Sequence, residues 1–158
     1  MNDDLLNPHS ALVYMMVLVS AADGNMTDRE LRQMGEQVRN LPIFEGFDEE
    51  NLVPLSEECA KKLSVPGGLD QILNLIVASL PTKLCETAYA IACEIAAADQ
   101  RVAQEELNLL QQLCYNLGLD RLTAAAIERG IRARHISLEI ILETSLRYSP
   151  PLPNFLFR

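Results

Sequence analysis

The chain has 158 residues, a net charge of -9, 49% hydrophobic and 22% charged residues, no Trp and only 5% aromatics. That length and balance fit one folded domain with an aliphatic, Ala-rich core, which suits close helix packing better than a β-sandwich. The acidic excess sits before residue 121, so nucleic acid is a poor partner, because that affinity rests on Lys and Arg neutralising phosphates.

In chain order, Asn7 followed by Pro8 is an N-cap with proline at the first helical position. The helix from Pro8 to Ala22 is apolar nearly all round and therefore expected to be buried on most sides. It is too short to cross a bilayer, and "MNDDLLNPHS" lacks the basic start of a secretory signal. Asp23-Gly24 ends this helix. Thr27-Asp28-Arg29-Glu30 reads as a capping box opening a second helix, with Leu31, Met34, Val38 and Leu41 on one stripe and Pro42 closing it. Asp48 caps a third helix to about Leu63, with Pro54 demanding a kink or a late start.

Pro66-Gly67-Gly68 breaks the chain before a fourth helix, Leu69 to Leu80. Pro81 opens a fifth, running to Ala98, in which Glu94 is the one charged residue after Ala88. A sixth covers Ala103 to Leu117, with Gly118 as C-cap. Asp120 caps a seventh, to Arg134, and Ser137 an eighth, to Arg147. The prolines of "SPPLPNFLFR" force an extended tail carrying Leu152, Phe155, Leu156 and Phe157. Those four are exposed unless they dock, either in a groove of their own domain or in a neighbouring subunit's.

Shifted by 76 residues, "AADGNMTDREL" (21–31) meets "AADQRVAQEEL" (97–107), with five of eleven positions identical. Val19/Ile95, Met34/Leu110, Val38/Cys114 and Leu41/Leu117 extend the match. The chain thus repeats a unit of buried helix, short turn and amphipathic helix, which is expected to pack about a pseudo-twofold axis. A calcium EF-hand is excluded, because Val19 and Ala21 would fall on loop positions 1 and 3. Each copy keeps an Asp and, seven residues on, a Glu.

These two stretches, at helix-turn-helix junctions of an all-helical chain, resemble the TerB-like family, named for bacterial tellurite-resistance operons. The resemblance covers about residues 8 to 134. It implies an all-α fold: a compact bundle of about seven helices in two related halves, here residues 1–136, with a C-terminal helix and Pro-rich tail as 137–158. It implies a cytoplasmic bacterial protein without established enzymatic activity. The family's proposed metal positions fall on Asp23, Glu30, Asp99 and Glu106. Gln100 and Ala103 depart from the first copy's glycine and capping hydroxyl.

Converging carboxylates repel strongly and call for a cation, a basic neighbour or protonation; oxygen donors favour calcium, magnesium or manganese. The competing reading makes each Asp a turn residue and each Glu a first-turn helix residue favoured by the helix dipole, with Arg29 and Arg101 neutralising locally. Glu94 either joins the acidic cluster or pairs with an arginine. Arg129, Arg132, Arg134 and His135 either bind an anion or an acidic partner, or form a solvated face. "EGFDEENL", residues 45 to 52, is an acidic helix start or a surface for a basic partner. Cys59, Cys85, Cys93 and Cys114 form no CxxC pair and read as reduced thiols.

Three functions follow as expectations. The first is a non-catalytic interaction or scaffold module linked to tellurite or stress resistance, binding a divalent metal through the paired acidic turns. The second is a metal-independent helical adaptor for a protein partner. The third is a metal-dependent enzyme, though no phosphate-binding, nucleophile-elbow, dinucleotide or zinc-protease motif is present. A protein partner is expected, with a homodimer as one form and no transmembrane segment.

Overall fold

A computed structural model describes residues 5–24, 26–98 and 102–139. Among these are seven α-helices and no strands. They are α1 (Pro8–Ser20), α2 (Asp28–Asn40), α3 (Leu52–Leu63), α4 (Gly68–Ser79), α5 (Cys85–Ala96), α6 (Gln104–Asn116) and α7 (Arg121–Arg134). The all-α expectation is met. Residues 138 and 139 are helical, as the Ser137 start requires, but the rest of the expected eighth helix and the tail lie outside the described residues.

Local chemistry sets the helix ends. Asn7 Oδ1 accepts from Ser10 N at 2.9 Å, and Asp120 Oδ1 accepts from Thr123 N at 2.9 Å, each satisfying an amide that the first helical turn leaves unpaired. Pro54 causes a late start rather than a kink. Residues 49–51 form a 3-10 turn, and α3 begins at Leu52, so the proline sits in a first turn where no intrahelical N–H is needed. Pro81 likewise leads a 3-10 turn, Thr82–Leu84, before α5. α6 ends in a Schellman turn: Gly118 takes φ 68°, its N–H reaches Tyr115 O, and Leu119 N–H reaches Cys114 O at 3.1 Å.

The core is organised around α1. Every residue from Ser10 to Ser20 is buried, so this helix has no polar face to give to water. It packs against α3, α4 and α5, and also touches α2 and α6. Each large side chain so enclosed contributes about 1.5–3 kcal/mol relative to exposure. α5 is the second central helix, packed against α1, α2, α6 and α7, and the Ala residues expected to bring it close do lie inside. Leu6 N–H bonds Ser79 Oγ at 3.0 Å, and Cys59 Sγ–H points at Tyr14 O, tying the approach to α1 to α4 and its middle to α3.

No single helix among the described residues is long and apolar enough to cross a membrane. α4 and the segment 82–96 reach the necessary apolar length only together, bent by 111° at their break.

Candidate functional site

Candidate residues gather in two places: the paired acidic turns, and the ground between α5, α6 and α7. In the first turn, the Thr27 capping box forms in full. Thr27 N donates to Glu30 Oε2 at 2.8 Å, Thr27 Oγ1 to the same oxygen at 2.9 Å, and Glu30 N to Thr27 Oγ1 at 3.2 Å. In the second turn, Ala103 has no oxygen to offer, so only the reciprocal half forms, Ala103 N donating to Glu106 Oε2 at 2.7 Å. Glu30 and Glu106 are both buried, whereas Asp23 is exposed. Asp99 lies outside the described residues, as do Gln100 and Arg101. Among the described residues, no three His, Cys, Asp or Glu side chains come together as a metal-binding group. A cleft of about 320 Å³ beside these turns is lined by Arg29, Arg32, Gln33, Glu36, Ala98 and His135, a mixed rather than acidic wall.

The burial of Glu30 changes the reading of α2. Its inward stripe is Glu30, Met34 and Val38, while Leu31 is turned outward at 43% exposure. Leu31 therefore does not belong to the core stripe expected for it. The capping bond fixes Glu30 inward, and Leu31, the next residue, is rotated away by about 100°.

Glu94 does not stand alone on α5. It is buried, and α7's end folds over it: His135 Nε2 lies 2.6 Å from Oε2 and Arg134 Nη1 lies 2.8 Å from Oε1. The arginine contact is an ion pair without hydrogen-bond alignment. Of the two alternatives for Glu94, the structure shows pairing with an arginine, and adds a histidine. Two of the four residues of the basic concentration thus clamp α7 to α5 rather than facing an outside anion. No local sequence signal joins Glu94 to residues about 40 positions downstream.

The second place is a groove of about 610 Å³ whose floor is α5 and whose walls are α6 and α7. Both walls pack on α5 but scarcely on each other. Leu107, Leu110, Ile131 and Ile136 supply apolar lining, with Cys93 on the floor and Gln104, Gln111, Glu128 and Arg132 among the polar groups. Tyr89 OH donates to Glu128 Oε1 at 2.7 Å across the groove's base. Burial, then that carboxylate, holds the Tyr89 hydroxyl above its ordinary pKa, and burial pushes the Cys93 thiol up to about 12. Cys93 is thus a protonated thiol near neutral pH, not an activated nucleophile. All four cysteines are free.

The groove was not visible in the sequence, yet α6 carries its trace. It has apolar residues at 107, 109, 110, 113, 114 and 117, too many for one narrow face. Leu109, Leu113 and Leu117 are buried, while Leu107 is exposed and Leu110 and Cys114 are only partly covered.

A family model described as tellurite resistance protein TerB matches residues 9–129, most of the chain and both turns. No curated protein and no solved structure matches it.

Proposed function

The chain belongs to the TerB family, and from that premise we propose that it is a non-catalytic interaction module serving tellurite or wider stress resistance in a bacterial cytoplasm. The observation that carries this reading is the groove over α5. It is concave and lined by both apolar and polar side chains, Leu107, Leu110, Ile131 and Ile136 beside Gln104, Gln111, Glu128 and Arg132, a mixture that suits a surface taking another polypeptide. The repeat supplies an internal control. Leu31 and Leu107 occupy matched positions and are each 43% exposed, but only Leu107 lines the groove. Leu107→Glu should abolish survival of the host on tellurite while Leu31→Glu leaves it unchanged, with both variants folded by circular dichroism. Equal survival of the two variants would remove the groove from the function.

A second reading is favoured by the matched burial of Glu30 and Glu106. In it, Asp23, Glu30, Asp99 and Glu106 hold calcium, magnesium or manganese, and the module responds to that ion. The oxygen donor set suits these hard cations. Against it, each Glu already commits its Oε2 to the amide that opens its helix. Thermal melts of EDTA-stripped protein with each ion titrated decide the matter. Saturable stabilisation by one ion, lost in Asp23→Asn/Asp99→Asn, supports the bipartite site. An unchanged melt, or an equal response of the double variant, leaves the turns as architecture and the protein as a metal-independent adaptor.

A further inference from the structure

We infer that the groove between α6 and α7 is the docking site of this chain's own C-terminal tail, with Leu152, Phe155, Leu156 and Phe157 laid over Leu107, Leu110 and Ile136. This rests on the reading of the groove as a polypeptide-binding surface and names its resident occupant. Four observations converge on it.

The first is position. Ile136 lines the groove, Leu138 is 78% exposed, and the described residues end at Glu139, three positions past that lining residue. The segment from residue 140 onward is therefore tethered four positions from a residue that lines the groove. The second is reach. Thirteen peptide links separate residue 139 from residue 152, and a chain of that length can span on the order of 20–40 Å. α6, with 13 residues, is about 20 Å long, so the tail can return along its whole length.

The third is chemistry. The tail holds two of the chain's four Phe residues and, in "SPPLPNFLFR", three prolines. Those prolines pre-set an extended backbone, which lowers the entropy lost on docking and leaves its carbonyls seeking donors. Gln104, Gln111 and Arg132, among the groove's polar groups, are side-chain donors of that kind. The fourth is charge. Residues 149–158 carry one Arg and no acidic residue, so the tail brings no side-chain carboxylate to meet Glu128, which lines the groove together with Arg132 and His135. An occupant tethered at Glu139 also avoids the association cost that a separate chain must meet, which favours the same molecule over a second copy.

The test is nuclear magnetic resonance of the ¹⁵N-labelled full chain, the full-length variant Phe155→Ser/Phe157→Ser, and a chain ending at residue 148. The docked tail predicts amide shifts in both altered chains clustered at Leu107, Leu110, Ile131 and Ile136. It predicts Cys93 reacting with a disulfide reagent several-fold faster. It also predicts that a synthetic peptide of residues 149–158 restores the full-chain spectrum of the shortened chain. Shifts elsewhere, or none, overturn the inference. So do groove shifts in the full chain that grow with protein concentration, because the occupant is then a second copy's tail. The two readings fail separately. A tail that does not dock while Leu107→Glu still abolishes survival leaves an outside partner in the groove. A tail that docks while Leu107→Glu is neutral ends the interaction reading instead.

Discussion

The two repeat units start from nearly the same residues and finish differently. α1, its turn and α2 form a closed unit: α1 is surrounded, the Thr27 box is complete, and α2 presents Met34 and Val38 to the core. α5, its turn and α6 form an open one. The box is halved at Ala103, and the most buried residues of α6 are Leu109 and Leu113 rather than Leu110 and Cys114, the counterparts of Met34 and Val38. From the matched, buried Glu30 and Glu106 onward the inward stripe rotates, continuing at i+3 and i+7 in α6 (Leu109, Leu113) where α2 continues at i+4 and i+8 (Met34, Val38). That rotation turns Leu110 and Cys114 away from the centre, and with Leu107 they leave an apolar flank. In this protein, the duplicated half that lost register is the half that acquired a surface.

Variants in the two units should separate them, most strongly in the core. Met34→Ala should cost about 2–5 kcal/mol by emptying a fully enclosed site, whereas its repeat counterpart Leu110→Ala should cost well under half of that. Urea denaturation of both measures the asymmetry, and equal losses would mean that α6 is as firmly seated as α2. Glu94→Gln should cost about 1–3 kcal/mol, because it removes the charge that both Arg134 and His135 meet while keeping the side-chain volume. Hydrogen exchange should then rise first in α7, and a uniform rise would show that the clamp belongs to the whole core.

The capping difference comes next. Thr27→Ala should lose about 1 kcal/mol, and Ala103→Thr should gain a few tenths to about 1 kcal/mol by completing the second box, both read as melting temperatures. An Ala103→Thr chain no more stable than the parent would mean that the second turn cannot adopt the first one's geometry. Smallest of all, in the chain ending at residue 148, Leu31→Glu and Leu107→Glu should each move stability by no more than about 0.5 kcal/mol, so any functional gap between them is not a failure of the helical body to fold.

Much of this fold could be read before any coordinates. Asn7-Pro8, Thr27 to Glu30, Asp120 and Gly118 are local devices, and the chain uses each as its chemistry dictates. The repeat and the all-round apolar α1 pointed to a central helix in an all-α bundle. What escaped was long-range. Whether Leu31 faces in depends on where a cap fixes Glu30, and whether Leu107 has a cover depends on how little α6 and α7 pack on each other. Glu94's partners lie on another helix. Of the candidate site, two carboxylates are placed in matched turns and Asp23 is exposed, while Asp99 is outside the described residues.

The enclosure of α1 also has a consequence in time. It is synthesised before every helix that covers it, and its neighbours extend as far along the chain as α6. During translation a strip of Leu, Val and Met must wait, without a polar side to show the solvent, for partners roughly a hundred residues downstream. Contacts closed over such distances form slowly, and the waiting segment is the nascent chain's most adhesive part. The yield of this protein should therefore depend on how well α1 is shielded before α5 arrives, more than on any surface charge the finished molecule carries.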